Sequence, residues 1–118
     1  MSQVMVIRDA DKDWQEVSAD WPGRHKPGEP RVIYKVLMPR GVDGMPNMQR
    51  TTYEPDHFEP PHSHEESEVL YLIGGELMFG DQTLGFGDAI FVPANTRYSL
   101  RAGAAGCEFV RVGLPVTP

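Results

Sequence analysis

The chain is poor in several things, and each shortage excludes a class of protein. It has one cysteine, Cys107, so no intrachain disulfide can form, and a lone thiol suits a reducing compartment. The cytoplasm is therefore the expected location. No apolar run approaches the roughly 18–20 residues that a membrane span needs. Met1-Ser2-Gln3-Val4 lacks the basic start and apolar core of a secretory signal. Basic residues are outnumbered, with 11 Lys and Arg against 17 Asp and Glu and a net charge of -6. Neither nucleic acid nor an anionic membrane is then expected as a main partner. There is no Gly-x-Ser-x-Gly, phosphate loop or dinucleotide fingerprint, no internal repeat and no amphipathic helical stretch.

What the chain does have is punctuation. The 12 glycines and 11 prolines make up about a fifth of the 118 residues, and they are spread out rather than clustered. They divide the sequence into many short β-prone segments, the pattern of an all-β domain. The length allows one hydrophobic core, hence a single domain over 1–118, with residues 1–30 as an N-terminal strand and arm and 31–118 as a barrel or sandwich. Val4 to Arg8 reads as a β-prone run with few partners of its own, and we mark it as a dimer-forming element. Trp14 to Trp21 is undecided between a helical turn and an extended arm, and Pro22 to Pro30 is a loop. Strands are expected over Arg31–Met38, Met48–Tyr53, Glu68–Ile73, Glu76–Phe79, Thr83–Leu84, Ala89–Val92, Arg97–Arg101 and Cys107–Val112. Gly74-Gly75 is read as a turn and Ala102 to Gly106 as a flexible break. The total comes to about ten short strands.

One stretch stands out: Pro60-Pro61-His62-Ser63-His64-Glu65-Glu66-Ser67-Glu68, running into Val69-Leu70-Tyr71-Leu72-Ile73. The chain has four histidines, and three of them (His57, His62 and His64) lie in or beside it. Side chains alternate along a strand, so His62, His64 and Glu68 share one face. Two imidazoles and a carboxylate on one side of a sheet form a donor set for a divalent transition metal. On the same parity Leu70 and Leu72 point inward, as do Ile90, Val92, Tyr98 and Leu100. His57 has the opposite parity to His62 and reads as a surface residue beside Asp56 and Glu59. His25, in a Pro/Gly loop, is expected in solvent, and Glu65 and Glu66 are expected as mouth charges. Arg50 and Arg111 would anchor a carboxylate if either faced inward, but solvent exposure is the expectation for both. Cys107 reads as buried filler.

The same residues resemble the cupins. The first cupin motif is a Gly, five residues, His-x-His, three or four residues, Glu, six residues and a Gly. Here His62, His64, Glu68 and Gly75 stand at those spacings, with Asp56 at the leading Gly. The second motif is matched by Gly87 and Pro93, whereas Asn95, Tyr98 and Ala102 stand where Gly, His and Asn are usual. The resemblance covers Asp56 to Ala102. It implies an antiparallel jelly-roll β-barrel, dimerisation through N-terminal strands, and one divalent metal per chain (Fe, Mn, Ni or Zn) held at the barrel mouth by His62, His64 and Glu68. The missing fourth imidazole leaves three arrangements open: Tyr98 as a phenolate ligand, Tyr98 as a neutral hydrogen-bond donor beside a two-His-one-carboxylate site, or a degenerate site without metal. The first two imply a small metal-dependent enzyme, dioxygenase-like or a lyase, isomerase or cyclase, with Tyr98 as a catalytic donor to substrate oxygen. The third implies a non-catalytic module that binds a small ligand.

Overall fold

The computed structural model describes residues 4–17, 31–40 and 44–114. A 3₁₀ turn spans Asp9–Asp11, followed by eight strands: β1 (Gln15–Glu16), β2 (Val32–Met38), β3 (Asn47–Tyr53), β4 (Phe58–His62), β5 (Glu68–Phe79), β6 (Gln82–Leu84), β7 (Ala89–Val92) and β8 (Tyr98–Gly113). All pairings are antiparallel. The sheet runs β1-β2-β3-β8-β5-β6, with β4 added to β8 and β7 to β5. This is the all-β, antiparallel jelly-roll barrel that the sequence predicts.

Two strands carry the barrel. The first half of β5 pairs with the last part of β8 (Glu68 with Gly113, Leu72 with Phe109). Its second half pairs with the start of β8 (Leu77 with Ala102). The Gly74-Gly75 pair is therefore not a turn, and Ala102–Gly106 does not break the strand. Instead the register shifts between Leu72 and Gly74 and again between Gly75 and Leu77, so both strands bend without losing their ladder. The bend depends on two glycines. Gly75 and Gly106 have φ of +71° and +72°, a conformation that costs an L side chain energy. A Cβ on Gly75 would also lie 2.7 Å from Cys107 Cα. Two expected pairs of short strands thus merge into two long ones; with β1 and β4 added and Val4–Arg8 not a strand, the described residues hold eight strands.

The core follows the alternation. Leu70, Leu72 and Leu77 of β5 are buried with Tyr98, Leu100, Ala102, Cys107 and Phe109 of β8, Val32 of β2 and Tyr53 of β3. Each fully buried leucine contributes about 1.5–3 kcal/mol. As expected, Cys107 is buried, and burial pushes its thiol up to about 12.

Val4–Arg8 is not a strand, and Val4, Met5 and Val6 are exposed. The segment after it docks on the outer face of β2 and β3 instead. The Asp9 carboxylate accepts from Lys35 and Arg50 at 3.0 Å each, and Trp14 lies across both cations at 4.9 and 5.2 Å. Arg50 therefore belongs to the outer face and is not a pocket anchor. The loop expected over 22–30, with His25, lies outside the described residues.

Candidate ligand pocket at the barrel mouth

β4 sets the site, and it does so with a bulge. Phe58 and Glu59 pair with Arg101 and Leu100, and His62 pairs with Tyr98, with a register shift between Glu59 and His62. That shift falls on Pro60-Pro61, where proline has no ladder donor to lose. The extra residue reverses the parity of the strand. Phe58 ends up outside, its ring beneath the Arg101 guanidinium at 4.8 Å, while His57, Glu59, His62 and His64 all turn inward. His57 is therefore not a surface residue but is 3% exposed. Its Nε2 meets Glu59 Oε1 at 3.0 Å, and its ring packs on Tyr53 at 4.6 Å between centroids.

Beyond the bulge the rings gather. His62 lies 4.5 Å from the Tyr98 ring and 5.0 Å from that of His64, and His64 lies 6.4 Å from Tyr98. His62 Nδ1 bonds the Pro60 carbonyl at 2.8 Å, which orients the ring and leaves Nε2 for the cavity. Burial, reinforced by Arg111 and His62, holds His64 below the usual imidazole value against the opposing pull of Glu68.

Glu68 is the innermost charge, with no exposed surface. Tyr98 Oη donates to one of its oxygens and Arg111 Nε to the other. Arg111 also donates through Nη1 to Asn47 Oδ1 and through Nη2 to Glu66 Oε1, the latter at 2.6 Å. Glu66 in turn accepts from Arg40 at 2.8 Å. Tyr98, Glu68, Arg111, Glu66 and Arg40 form a chain in which two carboxylates meet two guanidiniums. Arg111, expected in solvent, is 7% exposed and faces inward. Burial, with Glu68 second, raises the Tyr98 phenol well above its ordinary value, in keeping with its role as donor to Glu68.

The four residues singled out from the sequence thus come together: Tyr98 is hydrogen-bonded to Glu68, and the His62 and His64 rings lie beside the Tyr98 ring. Among the described residues no three His, Cys, Asp or Glu side chains are grouped so as to hold a metal ion. Both Glu68 oxygens are committed, and the guanidinium of Arg111 bonds directly to one of them. The donors in this arrangement do not fit a metal held by all three expected ligands.

His62, His64, Tyr98 and Arg111, but not the fully buried Glu68, line a cavity of about 330 Å³, within the usual range for small-molecule sites. Its polar lining includes His62, His64, Tyr98, Arg111, Arg40 and Glu59, and its apolar walls include Val32, Leu70, Leu100 and Phe109. The sequence reading missed Glu59, His57 and Arg111. A Pro-Pro pair inside a strand was the available signal for the first two, and nothing local marks the third.

Two of the motif departures now have a backbone reason. Asp56 and Asn95, standing where the cupin pattern has glycine, sit at φ of +65° and +61°. Among residues with a side chain, Asp and Asn tolerate that region best, so the left-handed turns survive the loss of glycine. Gly75 and Gly87, which match the pattern, are also left-handed.

Comparison with known proteins agrees with this fold. No curated protein sequence matches the chain significantly. Among solved structures, KdgF from Halomonas sp. superposes with a TM-score of 0.74 at 19% identity, covering 96% of this chain and 94% of that one. The polyketide cyclase RemF from Streptomyces resistomycificus gives a TM-score of 0.70 at 20% identity, covering 95% and 80%. The FeII form of HppE gives 0.71 at 14%, covering 94% and 60%. At these identities the likeness is one of fold. The family model for the cupin domain matches residues 49–112, a span that runs from β3 into β8 and takes in the bulge, Glu68, Tyr98 and Arg111. With more than half its length inside that match, the chain belongs to the cupin family.

Proposed function

We propose that this cupin binds a small, oxygen-bearing organic molecule in its barrel, and that the polar centre of the pocket works without a metal. The observation that carries the reading is Glu68, each of whose oxygens accepts a hydrogen bond, one from Tyr98 and the other from Arg111. A buried carboxylate is stabilised by such a pairing of one cation with one neutral donor. The imidazoles of His62 and His64 then face the cavity as hydrogen-bonding groups for ligand oxygen. The apolar walls take the ligand's carbon skeleton.

A second reading is favoured by His62. Its Nδ1 bond to a backbone carbonyl is the outer-shell contact typical of a metal-bound imidazole. In that reading His62, His64 and Glu68 hold one divalent metal (Fe, Mn, Ni or Zn), as cupins commonly do. The protein would then be a small metal-dependent enzyme, dioxygenase-like or a lyase, isomerase or cyclase. Named neighbours of the same fold include a polyketide cyclase and an FeII-bound protein. Homodimerisation is our proposal for assembly in either case, with the exposed Val4, Met5 and Val6 as the contact.

Elemental analysis decides between the readings. The protein is purified without a metal-chelating column, before and after reconstitution with Fe(II), Mn, Ni and Zn. The His62→Ala/His64→Ala variant serves as control. Metal content well below one equivalent per chain in every preparation supports the first reading. About one equivalent, lost in the variant, overturns it in favour of the second.

A further inference from the structure

The cavity is also lined by a carboxylate outside the hydrogen-bonded Glu68 chain: Glu59, opposite Leu100 on the neighbouring strand. The other charges near the pocket are matched with one another. Arg111 lies against Glu66 and Glu68, and Arg40 against Glu66. Among the described residues the one ionic partner of Glu59 is His57, at 3.0 Å. Glu59 is thus, among the described residues, a pocket carboxylate with no arginine or lysine in ion-pair contact. Its side chain is about a quarter exposed, so it is open to a ligand entering the cavity.

His57 holds this carboxylate in place. Its carbonyl accepts from Ala102 N–H at 2.8 Å and its N–H donates to the Glu54 carbonyl at 3.2 Å. With the ring packed on Tyr53, imidazole and backbone are both fixed. We propose that Glu59, positioned by His57, is a second binding pole that takes an ammonium group of the ligand. This inference rests on the small-molecule reading above and names the ligand class within it. A carboxylate on an apolar wall is stabilised by a cation that completes its hydrogen bonds. The faces of Tyr53 and Phe109, in edge contact at 5.1 Å, add a surface that favours cations.

The register sets the spacing between the two poles. Glu59 lies opposite Leu100 and His62 opposite Tyr98, two residues apart along β8. That is roughly 7 Å at about 3.4 Å per residue. The ligand is therefore an amine with a hydroxyl group about 7 Å from its nitrogen. The hydroxyl is placed to donate to His62 Nε2, since His62 Nδ1 donates to the Pro60 carbonyl. A mostly apolar skeleton joins the two groups.

The test uses three probes with the same skeleton, namely benzylamine, benzyl alcohol and benzoate. Each is titrated into the full chain and followed by backbone and imidazole NMR. We expect benzylamine to bind at least about fivefold more tightly than benzyl alcohol, in keeping with a charge-assisted hydrogen bond, and to shift the His57 and Glu59 signals in the unmutated protein. Glu59→Gln, which keeps the shape, is expected to abolish the preference, and Glu65→Gln, on the exposed lip, to leave it intact. A preference for the alcohol or benzoate overturns the inference while leaving the pocket reading in place. An amine preference that survives Glu59→Gln does the same. If none of the three shifts any cavity residue, the pocket reading fails and the inference fails with it.

Discussion

The Glu68–Arg111 pair makes a quantitative demand that a double-mutant cycle can meet or refuse. Arg111→Met removes three donated hydrogen bonds at once. Two of the partners are cushioned: Glu66 keeps Arg40 at 2.8 Å, and the Asn47 amide still donates to the Met38 carbonyl at 3.0 Å. Glu68 is not cushioned, because it is fully buried and retains only the Tyr98 hydroxyl. Breaking a buried pair from one side costs about 3–5 kcal/mol, a large part of the roughly 5–15 kcal/mol that holds a domain of this size together. Glu68→Gln keeps the shape but turns an amide N–H toward the Arg111 N–H or the Tyr98 hydroxyl, and should cost about 2–3 kcal/mol. In the double variant neither charge is stranded. Its cost should fall short of the sum of the singles by about 2 kcal/mol or more. Urea denaturation with unchanged slopes measures all three. Single costs that add to within about 0.5 kcal/mol would show that the two side chains do not depend on one another, and the pairing of these charges would not be what holds the site.

The bend glycines should separate cleanly. Gly75→Ala places a Cβ 2.7 Å from Cys107 Cα in addition to the strain of its φ of +71°, and should cost more than about 2 kcal/mol. Gly80→Ala, at φ +61° with open space around it, should cost only about 1 kcal/mol. Equal losses in thermal or urea unfolding would rule out the close crossing of β5 and β8. Cys107 gives a pH prediction. Burial raises its thiol from 9.0 to about 12, so the native state favours the protonated form. The resulting stabilisation is complete below pH 9 and declines as pH rises from 9 towards 12. At pH 9 the native thiolate fraction should be roughly five hundredfold below that of the unfolded chain. Iodoacetamide labelling should then wait on unfolding, and rapid labelling of the native protein would contradict the burial.

Legibility from the sequence tracked the range of the interaction. Side-chain alternation is local, and it identified Leu70, Leu72, Val92, Tyr98 and Leu100 as inward-facing because each lies in an uninterrupted stretch of strand. The same rule failed for His57, because it counts residues without knowing where one is looped out. The bulge at Pro60-Pro61 reverses every assignment on its N-terminal side. Gly74-Gly75 and Ala102–Gly106 look like breaks to a propensity argument. They become bends because the two long strands pair with one another on both sides of them, and that is a tertiary fact. Arg111 was illegible for a similar reason. An arginine in a strand is on average exposed, and only the folded chain brings Glu68, Glu66 and Asn47 to it from β5, the loop before it and β3.

In the proposed metal-free reading, Tyr98 and the inward-turned Arg111 act together on Glu68. A metal held by Glu68 would place two positive charges beside a guanidinium. At roughly 5 Å and an effective dielectric near 20 the repulsion is on the order of 7 kcal/mol, enough to offset a large part of a metal's binding energy. Arg111 instead supplies one positive charge, Tyr98 supplies a neutral donor, and Glu66 with Arg40 closes the chain towards the mouth. Restoring the imidazole alone does not remove the guanidinium. Tyr98→His should therefore leave metal uptake close to that of the unmutated protein. Tyr98→His with Arg111→Met frees both Glu68 oxygens beside three imidazoles, and should bind about one equivalent of Zn or Mn, read by elemental analysis after dialysis. If Tyr98→His alone takes up a full equivalent, Arg111 is not what closes the site, and Glu68 is free to leave the guanidinium for a metal.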